Sequence, residues 1–188
     1  MQERHTNRKQ YFNEQAISTR KYVVPYIEAV IPVTKETKVL EIGCGEGGNI
    51  LPFLEKGCDV IGVDLNEGKL KMGREWLSEA LPGSTYKLIN QDIYEWDLSS
   101  EEKFDLIILR DVIEHIHNQD RFMGFMKSLL TPNGKVFFGF PPWYMPFGGH
   151  QQICKKKLTS VAPWYHLLPM PFFKGVLKAF GESDRVVE

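Results

Sequence analysis

Cysteine is scarce in this sequence. The 188 residues include only three, Cys44, Cys58 and Cys154, and no two of them have CxxC spacing. An odd number of cysteines without paired spacing argues against both a disulfide framework and a structural zinc site. We therefore expect a reducing, cytoplasmic setting.

The sequence also lacks long apolar runs and a dominant charge. No apolar stretch approaches the roughly 18 residues of a membrane-spanning helix, and residues 1–16 are too polar for a signal peptide. The 23 basic and 24 acidic residues leave a net charge of -1, so no overall field attracts nucleic acid or an anionic membrane. We predict one globular chain with no membrane span and no nucleic-acid partner.

The most informative stretch is residues 38–49, where a short apolar run ends in a glycine-rich segment. The run Val39–Ile42 includes one acid, Glu41, and an apolar helical pattern follows at Ile50–Leu54. Between them lie four glycines within six residues: Gly43, Gly45, Gly47 and Gly48. This order predicts a buried strand, a tight loop and a helix. Because glycine has no Cβ, backbone there can approach a ligand closely.

Further apolar runs follow at helical intervals. They predict strands over residues 59–63, 85–90, 104–109 and 135–140, with Pro132–Gly134 as a turn before the last. One or two helices, interrupted at Pro25, should precede the first strand. Such alternation is typical of an α/β fold whose parallel sheet is covered on both faces. Ligands of these sheets bind beyond the carboxyl ends of the strands, where Asp64, Gln91–Asp92 and Arg110–His115 fall.

Two cofactor classes remain open from the residues alone. Gly43, Gly45 and Gly48 satisfy the dinucleotide pattern GxGxxG, and Asp64 follows 21 residues after Gly43, as a nicotinamide enzyme requires. An acid at this point suits a ribose in either class, because a carboxylate can accept both hydroxyl hydrogens. Glu41 just before the loop and Asp92 after the third strand favour a nucleoside-containing cofactor that is not a dinucleotide.

Four motifs in order resemble the class I S-adenosylmethionine-dependent methyltransferases, in particular the small-molecule type similar to ubiquinone-biosynthesis methyltransferases. They are Val-Leu-Glu-Ile-Gly-Cys-Gly-Glu-Gly (39–47), Gly-Val-Asp-Leu (62–65), Gln-Asp-Ile (91–93) and Asp-Val-Ile-Glu-His-Ile (111–116). The resemblance covers residues 36–141. It implies a Rossmann-like doubly wound sheet of strand order 3-2-1-4-5, with S-adenosyl-L-methionine as cofactor.

The resemblance also implies roles for individual residues. The backbone of Gly43, Cys44 and Gly45 would face the methionine part of the cofactor, and the Arg110 carbonyl would hold its ammonium group. Other cofactor-binding residues are implied as follows: Glu41 bracing the loop or a water near that ammonium, Asp64 on the ribose, Leu65 and Ile93 on either side of the adenine, Asp92 at the adenine amine, and Gln91 beside it in the cofactor site.

A general base is needed if the acceptor is a hydroxyl or an ammonium group. The candidates near the rim are His150, His115 and Tyr144, each with a purely structural alternative. Glu114, His115 and His117 lack a firm third metal ligand, so we predict no metal site.

The sequence departs from the family after the fifth strand. We divide it into an N-terminal helical segment or lid (1–35), a cofactor-binding core (36–141) and an acceptor-side, aromatic segment (142–188) that is truncated or naturally short. Two antiparallel strands expected there are missing. The aromatic residues between 158 and 180 predict ordinary helices, a hydrophobic lid, or a patch for a homodimer or membrane surface.

We therefore predict S-adenosylmethionine-dependent methyl transfer to a small-molecule acceptor, by O- or N-methylation. The alternatives are a nicotinamide-dependent oxidoreductase and a non-catalytic S-adenosylmethionine-binding subunit.

Overall fold

The computed structural model describes residues 7–96, 102–147 and 154–182. The chain divides into two units, one of residues Asn7–Phe140 and one that takes in everything from Pro141 onward. The sequence-based boundaries at residues 36 and 142 stay predictions about function.

Five parallel strands form the sheet of the larger unit. They are β1 (Lys38–Ile42), β2 (Asp59–Asp64), β3 (Tyr86–Asn90), β4 (Phe104–Arg110) and β5 (Leu130–Gly139). Their order is β3-β2-β1-β4-β5, and every neighbouring pair is parallel. The predicted doubly wound order 3-2-1-4-5 is therefore confirmed. It places β1 at the centre of the sheet and the glycine segment at its carboxyl end.

Helices cover both faces of this sheet. They are α1 (Arg8–Ser18), a π-helical segment (Thr19–Val23), α2 (Val24–Glu28), α3 (Leu51–Glu55), α4 (Glu67–Ala80) and α5 (Gln119–Leu129). Val39 of β1 packs in the core shared with α1 to α4, whereas its neighbour Leu40 packs in the core shared with α5. Successive side chains of a strand point to opposite faces, so one apolar run supplies both cores.

The predicted interruption at Pro25 falls where the helix type changes. The π-helical segment ends at Val23, and Pro25 occupies the first turn of α2, where its missing N–H costs no hydrogen bond. A predicted turn, in contrast, was wrong. Pro132–Gly134 is part of β5 and not a turn before it. Phe104 of β4 pairs with Leu130 of β5, and Leu106 pairs with Lys135, so the β5 segment between these two pairs is longer than the facing segment of β4. The expected turn is therefore an irregularity within the strand.

The second unit is helical where the structure describes it. It contains α6 (Lys157–Val161), a 3₁₀ turn (Tyr165–Leu167) and α7 (Met170–Ala179), and residues 141–147 and 154–182 include no strand. The segment is helical as predicted, whereas the packing of these helices into the core, the lid and the dimer interpretations stay predictions. None of the helices in the described ranges has the length and apolar character needed to cross a bilayer.

Candidate active site

A cavity of about 490 Å³ opens beyond the carboxyl ends of β1, β2, β3 and β4 in the larger unit. Its lining comes from the ends of these strands and from the segments that follow them: Ile42, Gly43, Val63, Asp64, Leu65, Gln91, Asp92, Ile93, Tyr94, Asp111, Val112, His115, Ile116 and His117. A volume of this order suits a small organic ligand. The cavity lies where the strand order reverses, as expected for this architecture.

The glycine segment is shaped by backbone that only glycine adopts easily. Gly43, Gly45 and Gly47 have φ values of 72°, 54° and 78°. A Cβ placed on Gly43 would lie 2.4 Å from Cγ2 of Val112, so a side chain there would clash. The amides of Gly43 and Cys44 both donate to the carbonyl of Val63, at 2.7 and 3.1 Å, which folds the loop over the end of β2.

Asp64 joins this loop to the end of β2. Its Oδ2 accepts a hydrogen bond of 2.8 Å from the Gly45 amide, and its Oδ1 accepts one of 2.8 Å from the Asn66 amide. A carboxylate has about four acceptor positions, so two backbone donors leave capacity for a ligand. Asp64 lines the cavity and is only half-buried, which makes that capacity accessible.

Glu41 is the buried acid of the site, with only 2% of its surface exposed. Its Oε1 accepts a hydrogen bond of 2.8 Å from Asn49, while its Oε2 is buried and has no partner among the described residues. Burial raises the pKa of Glu41 to about 8, although the Asn49 hydrogen bond and the charge of Arg110 act in the opposite direction. Burial therefore favours the protonated, uncharged form of this carboxyl group.

The cavity brings together seven of the predicted site residues. They are Gly43, Asp64, Leu65, Gln91, Asp92, Ile93 and His115. Glu41, Cys44, Gly45 and Arg110 do not contribute to its lining. Burial raises the pKa of the Cys44 thiol well above its usual value, so the thiol is an apolar packing group here.

The other two predicted catalytic residues, Tyr144 and His150, follow Phe140 in the chain and so do not belong to the larger unit. Tyr144 belongs to the second unit, where the residue is 79% exposed and its carbonyl accepts a hydrogen bond of 3.3 Å from Trp164. His150 lies outside the described residues. The predicted roles of both stay predictions.

Several lining residues were missing from the predicted site, notably Tyr94, Asp111, Val112 and His117. Asp111 has a φ of 55°, an uncommon value for a residue other than glycine, and its amide donates to the Gly139 carbonyl at 2.7 Å. The end of β4 was expected on the rim, but the sequence does not show which side chains of residues 111–117 turn toward the cavity. Backbone geometry makes that choice.

The model of the methyltransferase domain family matches residues 8–173, which is most of the chain. The chain belongs to this family. The predicted relationship to class I methyltransferases is therefore confirmed, and it extends beyond the resemblance noted over residues 36–141.

Relatives with assigned functions match part of the chain. A ubiquinone biosynthesis O-methyltransferase from Pasteurella multocida (strain Pm70) is 31% identical over 108 residues, covering 54% of this chain and 45% of that protein. A protein from Pelagibacter ubique (strain HTCC1062) with the same name is 28% identical over 103 residues, or 55% of this chain and 41% of that protein. The chain thus matches under half the length of these methyltransferases.

Solved structures share the fold. PKMT2 from Rickettsia typhi, determined in complex with AdoHcy, has a TM-score of 0.55 and 30% identity over 64% of this chain and 25% of its own. The magnesium protoporphyrin IX methyltransferase of Synechocystis PCC 6803, determined with bound SAM, has a TM-score of 0.57 and 22% identity over 69% of this chain and 60% of its own. At that identity the second likeness concerns the fold alone.

Proposed function

We propose that this chain binds S-adenosyl-L-methionine in the cavity at the end of β1 and transfers the cofactor's methyl group to a small-molecule acceptor. The observation that carries the proposal is the glycine segment beside the cavity. A side chain at Gly43 would clash with the Val112 side chain, while Asp64 and Asp92 stand on the cavity wall with carboxylate oxygens available. Membership of the methyltransferase family favours this cofactor over a nicotinamide.

The residues present fit such a cofactor. The cofactor comprises an amino acid, a sulfonium and an adenine nucleoside, and the cavity lining offers groups suited to the nucleoside. Asp64 would accept from the ribose hydroxyls, and Asp92 would accept from the adenine amine. Leu65 and Ile93 would lie against the adenine faces, since both are apolar lining residues and Leu65 is 74% exposed.

The unpaired oxygen of Glu41 gives independent support. A buried acceptor without a donor costs about 1–3 kcal/mol, so such atoms are rare in folded proteins. A ligand that brings a hydrogen-bond donor to this oxygen would remove that cost. The amino-acid part of the cofactor carries such a donor, an ammonium group.

When bound, the cofactor supplies an activated methyl group on a sulfonium, and the protein's part is to orient the acceptor and exclude water. Positioning of this kind can contribute about 7–11 kcal/mol. His115 lines the cavity, and as a neutral imidazole it can take the proton that an acceptor hydroxyl loses. Of the three predicted bases, it is therefore our first candidate.

O-methylation is our preferred reaction. The relatives from Pasteurella multocida and Pelagibacter ubique are O-methyltransferases of ubiquinone biosynthesis, and their similarity to this chain supports a hydroxyl acceptor. His115→Gln should then lower kcat with little change in cofactor affinity, because glutamine can hydrogen-bond the acceptor but cannot take its proton. A matched His117→Gln exchange, at the neighbouring lining histidine, shows whether the effect is specific.

Calorimetry with S-adenosylhomocysteine and with NADH tests the proposal. We expect micromolar binding of S-adenosylhomocysteine and no binding of NADH. Binding of NADH alone would overturn the proposed cofactor. Binding of S-adenosylhomocysteine without methyl transfer to any member of a broad panel of phenols, catechols and amines would point to a non-catalytic cofactor-binding subunit.

A further inference from the structure

A buried chain of polar contacts joins the N-terminal π-helical segment to the central strand. Thr19 and Arg110 both donate to Oδ1 of Asn49, at 2.9 and 2.7 Å. Nδ2 of Asn49 then donates to Oε1 of Glu41 at 2.8 Å. Thr19 is fully buried, Asn49 is 3% exposed and Glu41 is 2% exposed, so water does not compete for these contacts.

This arrangement fixes the orientation of the Asn49 amide. Oδ1 can accept from the Thr19 hydroxyl and the Arg110 guanidinium, whereas Nδ2 can only donate. Rotating the amide by half a turn would set Nδ2 against the guanidinium and Oδ1 against Glu41. Thr19 and Arg110 together therefore direct the Asn49 donor toward Glu41.

The same arrangement leaves one oxygen of Glu41 unused. Oε2 is buried and has no donor among residues 7–96, 102–147 and 154–182. Glu41 directly precedes Ile42 and Gly43, which line the cavity. The free oxygen thus belongs to the strand end from which the cavity opens.

We propose that Asn49 and Arg110 are positioning residues that hold Glu41 with one oxygen reserved for a donor of the bound cofactor, so that cofactor binding displaces a proton from Glu41. This inference rests on the proposed function. It concerns how side-chain hydrogen bonds from Thr19 and Arg110, which lie outside the glycine segment, orient Glu41 through Asn49.

The charged and titratable groups around Glu41 set the direction of this coupling. Arg110 from β4 favours the carboxylate, while Asp64 from β2 opposes it, and the Cys44 thiol beside it stays neutral. Burial outweighs the favourable contacts and raises the pKa of Glu41 to about 8. A cationic donor arriving with the ligand adds the missing partner of the carboxylate and so releases the proton to solvent.

Calorimetry in two buffers of different ionisation enthalpy, phosphate and Tris, measures the protons released when S-adenosylhomocysteine binds at pH 7. We expect the wild type to release most of one proton. Glu41→Gln should release none and bind about tenfold more weakly or worse, because a neutral amide does not titrate and lacks the negative charge that attracts the ammonium group. Thermal melting of each ligand-free variant confirms that it is folded.

Two further variants separate positioning from general structure. Asn49→Asp keeps the acceptor for Thr19 and Arg110 but removes the donor to Glu41. Because the new carboxylate disfavours ionisation of Glu41, the affinity should rise only at a higher pH than in the wild type. Arg110→Gln removes the charge that orients Asn49 and should also weaken binding. Arg20→Gln is the matched control, since Arg20 lies in the same π-helical segment but pairs with Glu55 at the surface. It should leave both affinity and proton release unchanged.

The outcomes are distinct for the two proposals. A wild type that does not bind S-adenosylhomocysteine overturns the proposed function and this inference with it. If the wild type binds, but Glu41→Gln releases the same number of protons, the inference alone is overturned. The positioning role is also overturned if Asn49→Asp and Arg110→Gln match Arg20→Gln in affinity at every pH.

Discussion

Two buried glutamates, one taken from each unit, differ in how many hydrogen-bond donors surround them. Glu182 of the second unit is 7% exposed and accepts from the Lys155 amide, the Lys156 amide and the Thr159 hydroxyl, at 2.9, 3.0 and 2.6 Å. Glu41 of the larger unit is more deeply buried, at 2% exposed, yet among the residues that the structure describes it accepts from one side chain only. The number of donors differs while burial is similar.

Their pKa values diverge accordingly. Burial alone would raise the pKa of Glu182, but the hydrogen bonds from Thr159 and from the Lys156 and Lys155 amides outweigh it and hold the pKa below its ordinary value. At Glu41 burial prevails, and the pKa is about 8. A fully satisfied buried acid stabilises a fold, whereas a half-satisfied one is available to a ligand.

The sharpest test of this contrast is Glu182→Ala, for which we expect the largest effect. The exchange leaves the Lys155 and Lys156 amides without their acceptor at the start of α6 and should cost about 3 kcal/mol of local stability. Hydrogen exchange of the α6 amides, followed by mass spectrometry, measures the loss. Exchange at the wild-type rate would show that the three contacts do not hold this unit together.

Asp64 is the intermediate case, a half-buried acid with two backbone donors that also lines the cavity. Asp64→Ala should weaken S-adenosylhomocysteine binding by about 2 kcal/mol, through lost hydrogen bonds to a charged group. Calorimetry checks the value, and Asp59→Ala is the matched control, because Asp59 is an exposed acid at the opposite end of the same strand. Equal affinities for the two variants would remove Asp64 from the ribose site.

Glu41→Gln tests the other side of the contrast through the pH dependence of stability. The folded pKa of Glu41 is about 8 and lies above its unfolded value, so the native protein keeps a proton that the unfolded chain has lost. Its stabilising contribution is complete below the unfolded pKa, and wild-type stability should fall as pH rises toward 8, by at most about 1.4 kcal/mol per pH unit. Glutamine does not titrate and removes this slope.

Urea unfolding of the ligand-free wild type and of Glu41→Gln at pH 6, 7 and 8 measures the effect. All other titrating groups are common to both proteins, so the difference between the two profiles isolates Glu41. Parallel profiles would mean that Glu41 is already ionised in the free protein. The proton-release coupling would then be wrong as well.

The sequence is informative where function follows from local chain order. The apolar run before Gly43 and the acid after the second strand predict β1, its loop and Asp64, because strand ends of a parallel sheet meet on one rim. The Thr19–Asn49–Arg110 contacts could not be predicted, since they join residues 30 and 61 positions apart that only packing brings together.

Other failures have the same origin. The turn expected at Pro132–Gly134 is drawn into β5 by its pairing with β4, a long-range contact that overrides local turn preference. The place of Asp111 on the cavity wall depends on its left-handed backbone, which the motif does not reveal. Sequence patterns thus locate the rim of the sheet, while tertiary contacts select the side chains that face the cavity.

Thr159→Val makes the smallest and most specific change to the comparison, since it removes one donor of Glu182 and keeps the shape of the side chain. The two backbone donors remain, so we expect a stability loss of about 1 kcal/mol, a third of that for Glu182→Ala. The pKa of Glu182 should rise toward its ordinary value. An acid whose pKa is lower in the folded state stabilises the fold above its unfolded pKa, and this contribution is lost as the pH falls through the folded pKa. The variant has less of this contribution, so it should lose less stability between neutral and acid pH. Hydrogen exchange of the α6 amides at pH 7 and pH 4 measures both effects. If Thr159→Val loses as much stability as Glu182→Ala, the Thr159 hydroxyl alone, and not the number of donors, determines the contribution of Glu182.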